Sequence, residues 1–380
     1  MASDTWLMVC AEGFAPERVA RPLLIKTSVD FLRDRIGLKR ILLVVAVAML
    51  ATAGYVLFEK LKVIDWSKVW EAIGQIGPTT LIVAGLFAAA AYATLTVYDY
   101  FATRTIGRDD IPYPACAVGS FTSYSIAHNL GATVFTAAVV RYLVYSRYKI
   151  TGPQVVKICF IAGLTFWLGN ATVLGLGFVL EPWVVTPVVA PFGIGGGTVR
   201  IVGAVILAAL VGWLIFVAVP RQFGSGAWVI KLPSAKLTFL QMLIGIVDLS
   251  CTAMILYVLL MAMPDAPPAP FVAVAVIFCS AMLLGFATHA PGAAGAFEAT
   301  LLVALPPLGF TAEAVVAAFI LFRLYYFIVP FVLALLIVAI RELASGNRSL
   351  DHLKESMAVI RQAEESQEAA KASAKPGSAA

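Results

Sequence analysis

The chain has 380 residues, of which 61% are hydrophobic and 13% charged, and its mean hydropathy is +0.92. Soluble domains are roughly half apolar and about a quarter charged, so this composition excludes a water-soluble globular protein and indicates that lipid solvates much of the surface. The net charge is +5, but the basic residues lie in the first 40 residues and between apolar segments. This distribution argues against a nucleic-acid-binding patch and is typical of membrane topology signals.

The basic segment 1–40 opens the chain and predicts a cytoplasmic N-terminus. The first apolar run, 41–58, is not followed by a small-residue cleavage site, so we expect a retained membrane span rather than a signal peptide. Full spans of about 20 residues are predicted at 41–58, 79–103, 153–180, 199–219, 237–262 and 312–340.

Two further apolar segments contain an interruption. The first, 114–146, breaks at His128-Asn129-Leu130-Gly131, and the second, 270–305, breaks at His289-Ala290-Pro291-Gly292. We predict a broken-helix hairpin for each segment, either re-entrant or made of two short crossings. In both versions the hairpin enters and leaves on the same side of the membrane.

Loop charges orient these elements. Lys and Arg occur in the loops 104–112, 147–152 and 220–236, whereas the loops 181–198, 263–269 and 306–311 contain none. The first three loops are therefore predicted to be cytoplasmic and the others external. Exceptions are Arg200 and the external segment with Lys60, Lys62 and Lys68. Both termini are predicted to be cytoplasmic, in a bacterial-type inner membrane.

The same layout predicts an internal repeat. Residues 79–180 and 237–340 have the same order of elements, span–hairpin–span, in opposite orientations. Inverted repeats with matching broken helices are typical of transporters, whose substrate lies near the breaks. The predicted architecture is an all-α polytopic membrane protein with one transmembrane domain, 41–342, and a charged cytoplasmic tail, 343–380, that is predicted to be disordered.

Ionisable residues inside apolar segments cost about 2.5–3.5 kcal/mol each to insert, so each needs a reason. The candidates are Asp99, Arg141, Asp248, Glu298 and Arg323, with His128 and His289 at the breaks. The alternatives to a functional role are pairing and snorkelling to the interface. Asp99 lies near the end of its span and can snorkel, while Asp248 lies mid-span and can neutralise an Arg.

The two breaks suggest a site for an anion. Pro291 and Gly292 are predicted to start a short helix whose free N–H groups attract a lipid phosphate, and Gly295 permits a close approach. Glu298 lies in the next turn. The first hairpin adds the cation Arg141 and several polar groups, which are Ser120, Ser123, Ser125 and Asn129. The alternative is that the small residues only pack helices together.

Catalytic and cofactor motifs are lacking in the sequence. It contains no GxSxG, HExxH, P-loop or GxGxxG motif, and its cysteines form no CxxC pair. We therefore expect no cofactor, no metal site and no enzymatic activity.

Several short motifs resemble one known family. They are Tyr98-Asp99-Tyr100, Ser120-Phe-Thr-Ser-Tyr124, His128-Asn129-Leu-Gly131, Arg141-Tyr142, Pro291-Gly-x-x-Gly-x-Phe-Glu298, Arg323-x-Tyr-Tyr326 and Pro330. In order and spacing they are similar to the membrane domain of the lysylphosphatidylglycerol synthase/flippase family, of the multiple peptide resistance factor type, over residues 40–342. One departure is Pro291-Gly-Ala-Ala-Gly295, which lacks the second glycine of the family's Pro-Gly-Gly-Leu-Gly pattern.

The resemblance implies that the chain moves lipids between leaflets, with Arg141, Pro291, Gly292, Gly295, Glu298 and Arg323 as site residues. In the family, a soluble domain C-terminal to the membrane domain carries the synthase activity. The 380 residues of this chain do not include that domain, so we expect no synthase activity from it. The leading hypothesis is a flippase or transporter for an anionic or aminoacylated lipid. Phosphatidylglycerol derivatives, hopanoids and isoprenoid carriers stay open as substrates, and transport is expected to be passive or ion-coupled.

The alternative is the membrane component of a lipid-modifying enzyme, working with a separate soluble transferase. A third interpretation is a non-catalytic membrane partner.

Overall fold

A computed structural model describes residues 52, 54–130, 133–190, 193–223, 230–288 and 290–345. The predicted basic segment 1–40, most of the predicted span 41–58 and the tail from residue 346 lie outside these residues. Within the described part the chain is helical, apart from loops and one antiparallel pair of two-residue strands, β1 (Gln222–Phe223) and β2 (Ile230–Lys231).

The main helices have these bounds in chain order. They are α1 (Trp66–Gly74), α2 (Pro78–Thr105), α3 (Tyr113–Leu130), α4 (Thr133–Tyr145), α5 (Gly152–Leu180), α6 (Gly196–Phe216), α7 (Ala235–Met261), α8 (Phe271–Ala287), α9 (Ala296–Ala304), α10 (Ala312–Arg323) and α11 (Val329–Ser345). A π-helix, Leu324–Ile328, joins α10 to α11, and short helical turns occur at Ser146–Tyr148, Pro182–Val184, Thr186–Val189, Pro291–Ala293 and Pro306–Leu308.

Five helical segments of the described part are long and apolar enough to cross a membrane: α2, α5, α6, α7 and the continuous stretch Ala312–Arg341. They coincide with five of the six predicted spans. Side chains cap the free N–H groups at two of these helix starts. Thr151 and Gln154 form a capping box at α5, and Ser234 accepts a hydrogen bond from the Leu237 N–H at α7.

The second predicted interruption is confirmed, whereas helix α3 continues through His128–Leu130 of the first, and residues 131 and 132 lie outside the described residues. Helix α3 ends at Leu130 and α4 begins at Thr133, while α8 ends at Ala287 and α9 begins at Ala296. The two helices of each segment pack against each other, so each segment is a hairpin. Helix α9 has 9 residues, a length of about 14 Å. It is too short to cross a hydrocarbon core of ~30 Å by itself.

Equivalent helices of the two predicted repeats make equivalent contacts. In residues 79–180, α2 packs on α3 and α5, and in residues 237–340, α7 packs on α8 and α10. The two units meet where α7 packs on α2 and on α5. The opposite orientation of the two units stays a prediction.

Helices α5 and α7 touch backbone to backbone at two glycines. A Cβ built on Gly169 would lie 2.6 Å from the backbone of Gly245, and one built on Gly245 would lie 2.8 Å from Gly169 Cα. Real Cβ atoms do not approach so closely, so glycine is needed at both positions. Small residues of this kind let membrane helices pack tightly.

Helix α1, in the segment 59–78, was not predicted. Its N-cap is Asp65, which accepts from the Ser67 N–H at 3.0 Å. Val69 and Ala72 face inward, and α1 packs on α10. The predicted external segment is therefore an ordered part of the fold.

Candidate functional site

The carboxylate of Asp99, on α2, forms a bidentate ion pair with Arg141, on α4. Arg141 Nε lies 2.9 Å from Asp99 Oδ2 and Arg141 Nη2 lies 2.7 Å from Oδ1. The Tyr145 hydroxyl donates to Oδ2 at 2.8 Å, and the Arg141 guanidinium lies 4.9 Å from the centre of the Tyr124 ring. Asp99 is 0% exposed and Arg141 2% exposed. The snorkelling interpretation of Asp99 is therefore wrong, because its partner is inside the bundle.

A second ion pair joins Glu298, which is buried on α9, to Arg323, which is partly buried at the end of α10. Arg323 Nε donates to Glu298 Oε1 at 2.6 Å, Nη2 donates to the same oxygen, and Nη1 donates to the Gly292 carbonyl oxygen at 2.7 Å. Glu298 Oε2 accepts from the Gly295 N–H at 2.8 Å. Arg323 thus connects α10 to the turn between α8 and α9 and to α9 itself.

This arrangement corrects the predicted anion site. Pro291 and Gly292 form a single 3₁₀ turn and do not start a helix, because Gly292 has φ +62° and Gly295 has φ +90°. Helix α9 begins only at Ala296, and the Gly295 N–H is already bound by Glu298. His289 and Gly131, two other predicted site residues, lie outside the described residues.

A hydrogen bond joins the predicted first break to the π-helix of the second unit. Asn129 Nδ2 donates to the Ser125 carbonyl at 2.9 Å and to the Phe327 carbonyl at 3.1 Å. The Tyr92 hydroxyl donates to the neighbouring Tyr326 carbonyl at 3.0 Å. A π-helix departs from the α-helical hydrogen-bond pattern, and here two of its carbonyl oxygens accept from side chains of other helices.

Asp248, in the middle of α7, is 3% exposed and has no cationic partner in the described part of the chain. Its Oδ2 accepts from the Tyr98 hydroxyl at 2.9 Å, and its Oδ1 lies 3.0 Å from Thr94 Oγ1. The interpretation that Asp248 neutralises an Arg is wrong, because Arg141 binds Asp99 and Arg323 binds Glu298.

A cavity of about 460 Å³ lies between the two units. Its lining is mainly apolar and aromatic, with a few polar side chains. The lining residues are Leu95, Tyr124, His128, Phe135, Ala137, Arg141, Cys159, Gly163, Phe166, Trp167, Asp248, Leu249, Thr252, Phe278, Met282, Phe286, Ala290 and Tyr326.

The cavity brings together only part of the predicted site. Arg141, Asp248 and His128 line it, whereas Glu298, Arg323 and Asn129 do not. Ser123 also lies outside it, and its hydroxyl donates to the Ser120 carbonyl at 3.1 Å. The aromatic lining was not predicted, since aromatic residues in an apolar segment have no distinct pattern.

The chain has detectable similarity to two known proteins, and no family model matches it. It is 29% identical to the uncharacterized protein slr0712 of Synechocystis over 273 residues, which cover 70% of this chain and 80% of that protein. It is 26% identical to the inner membrane protein YbhN of Escherichia coli over 278 residues, or 72% of this chain and 84% of that protein.

These relatives and the five apolar helices together identify a multi-pass inner membrane protein. Neither relative's name refers to lysylphosphatidylglycerol, so membership of that family stays a prediction. The cytoplasmic location of both termini also stays a prediction.

Proposed function

We propose that this protein moves a lipid between the two membrane leaflets, as a flippase or lipid transporter. The observation that carries the proposal is the cavity. Both predicted repeats contribute to it: Tyr124 and Gly163 come from the first, and Asp248, Phe286 and Tyr326 from the second. Transporters built from repeats bind their substrate at the repeat interface, near broken helices.

The chemistry of the cavity suits an amphiphile. Its volume falls in the range of about 300–1,000 Å³ that is common for small-molecule sites, and it fits a headgroup with the first part of an acyl chain. Arg141 and Asp248 provide polar contacts within a mostly apolar wall. Phe135 and Trp167 also line the cavity, yet they are 78% and 52% exposed. The cavity therefore extends to the surface of the bundle, where lipid is the solvent.

Other observations support the same function. The resemblance to the lysylphosphatidylglycerol synthase/flippase family favours an anionic or aminoacylated lipid, and the similarity to an inner membrane protein favours the required location. The predicted inverted repeat would let the cavity open alternately to the two leaflets.

Gly163 offers a direct test. A Cβ at Gly163 would meet no atom within 4 Å, and the residue lines the cavity. Gly163→Phe should therefore fill the cavity without a clash at the backbone. Gly197→Phe is a matched control, because Gly197 also has open space around it and does not line the cavity.

The assay uses vesicles of phosphatidylethanolamine and phosphatidylglycerol with fluorescent phosphatidylglycerol, lysylphosphatidylglycerol or phosphatidylethanolamine as probes. Dithionite bleaches the label in the outer leaflet and so reports translocation. Wild type and Gly197→Phe should accelerate the movement of at least one probe, and Gly163→Phe should reduce the rate at least tenfold. No acceleration of any probe by folded wild-type protein would overturn the proposal. A lipid species that disappears from cells lacking the protein would instead favour the lipid-modifying alternative.

A further inference from the structure

We propose that Asp248 is a proton-binding site, and that uptake and release of this proton couple lipid movement to a proton gradient. The coupling rests on the proposed function, whereas proton binding by Asp248 does not. An intramembrane carboxyl group in a cavity is a common element of proton-driven transporters.

Three carboxyl groups are buried between the membrane helices of the described part, and their environments differ. Asp99 and Glu298 each bind an Arg, so both pairs carry no net charge. The hydrogen-bond partners of the Asp248 carboxyl group are two hydroxyls, those of Thr94 and Tyr98. A buried carboxylate without a cation is strongly disfavoured, and such a group takes up a proton to become neutral. In this structure, where its side chain is buried, Asp248 is therefore held in its protonated form.

The oxygen–oxygen distances around Thr94 accommodate a protonated carboxyl. Thr94 Oγ1 lies 2.6 Å from the Ala91 carbonyl oxygen and 3.0 Å from Asp248 Oδ1. The carbonyl can only accept, and a threonine hydroxyl has one hydrogen. When that hydrogen points to Ala91, the Asp248–Thr94 contact needs a hydrogen on Oδ1. The Tyr98 hydroxyl meanwhile donates to Oδ2.

The groups that face Asp248 in the described part of the chain do not balance the negative charge of its carboxylate. Those that interact with it electrostatically are hydroxyls and thiols, namely Tyr92, Tyr98, Tyr124, Tyr326, Cys251 and Cys279. Such groups are neutral near pH 7. Arg141, His128 and Cys159 line the same cavity, and Arg141 is bound to Asp99. Helix α10 contributes Arg323, which is bound to Glu298.

Water in the cavity can accept the proton that Asp248 releases. Because Asp248 lines the cavity, water that enters when the cavity opens reaches its carboxyl group. The O–H bond of Oδ1 then breaks, the proton passes to a water molecule, and a carboxylate and a hydronium ion form. Thr94 can turn its hydroxyl from the Ala91 carbonyl to the carboxylate, which stabilises this form. Closure of the cavity expels the water and requires a proton to return.

Infrared spectroscopy tests proton binding directly. Folded wild-type protein at neutral pH should show the carbonyl stretch of a protonated carboxyl, and Asp248→Asn should lack this band. Asp265→Asn is the matched control: Asp265 is exposed in a loop with φ +54°, a conformation that asparagine accepts. The control should keep the band. An identical band in wild type and Asp248→Asn would overturn the assignment.

Vesicles with an imposed pH difference test the coupling. For one proton per lipid, a one-unit difference should drive up to about a tenfold lipid asymmetry at steady state. Reversing the gradient should reverse the asymmetry, and Asp248→Asn should abolish it, while Asp265→Asn should retain it. Translocation that is equal at all gradients would overturn the coupling and leave the proposed function intact. No translocation under any gradient would overturn the proposed function and the coupling together, and the infrared band would still decide proton binding.

Discussion

Asn129 and Phe327 are 198 residues apart in the chain, and a hydrogen bond of 3.1 Å joins the Asn129 side chain to the Phe327 carbonyl oxygen. The bond links the broken element of the first unit to the π-helix of the second. A displacement of either element therefore breaks this bond or moves the other element with it.

Replacing Asn129 tests this link. Asn129→Ala removes both donated hydrogen bonds and leaves the Phe327 carbonyl without this donor, so the free energy of unfolding should fall by about 1–3 kcal/mol. Thermal unfolding in detergent measures the change. Gln75→Ala is the control, because its 3.3 Å bond to Glu71 is exposed, and it should change stability by less than about 0.5 kcal/mol. Equal effects of the two variants would contradict the link.

The Asp99–Arg141 pair should be sensitive to the loss of one partner. Arg141→Ala leaves the Asp99 carboxylate buried and unpaired, which should cost about 3–5 kcal/mol of unfolding free energy. Arg141→Lys should recover only part of this loss, since an ammonium cannot bind both carboxylate oxygens in the same planar geometry.

Chemical unfolding of the purified variants measures both effects. The control is Arg147→Ala, because Arg147 is exposed and stacks only on Tyr148. Adding Asp99→Asn to Arg141→Ala should restore stability relative to Arg141→Ala alone. If it does not, the single-variant loss comes from packing and not from the unpaired charge.

Gly292 should not tolerate a side chain. Its φ is +62°, and a Cβ would lie 2.9 Å from Arg323 Nη1. Gly292→Ala should therefore cost about 1–3 kcal/mol through backbone strain and a weakened Arg323–Glu298 pair. Gly197→Ala, in open space on α6, should be neutral or slightly stabilising in the same unfolding assay. A neutral Gly292→Ala variant would show that the turn can adopt another conformation.

Two glycines of α5 should respond with opposite sign to the same substitution. Gly163→Ala meets no atom within 4 Å, so the better helix propensity of alanine should add about 0.5–1 kcal/mol of stability. Gly169→Ala places a Cβ 2.6 Å from the Gly245 backbone and should destabilise by about 1–3 kcal/mol. Thermal unfolding compares the pair, and equal shifts would contradict the observed helix contact.

The sequence predicts the elements of this fold well because lipid imposes simple rules on it. Five spans and the second interruption follow from hydropathy and from the Gly and Pro residues at that break. Helix α1 was not predicted, since 9 residues with two exposed Trp do not differ from an interfacial loop in composition.

The partners of the buried charges are harder to predict. Sequence places Asp99, Arg141, Glu298 and Arg323 inside the membrane, but pairing depends on which helix faces turn toward each other. Asp99 and Arg141 lie on helices of different length separated by α3, so no spacing rule connects them. The same limit applies to Asp248, whose neighbours Thr94 and Tyr98 come from the other predicted repeat.

Because of the π-helix at Leu324–Ile328, the number of residues between α10 and α11 affects the contacts of this segment with Tyr92 and Asn129. A π turn contains about one residue more than an α turn, and here the carbonyls of Tyr326 and Phe327 receive hydrogen bonds from Tyr92 and Asn129. Deleting one residue would let the segment wind as an ordinary α-helix with α11 in nearly the same orientation, because a π turn accommodates the additional residue. The surface that α11 presents to α3 would be kept, but the widened turn whose carbonyl oxygens accept from Tyr92 and Asn129 would be lost. Relatives that share this contact should therefore conserve the number of residues between Arg323 and Pro330 more strictly than the apolar residues within this segment.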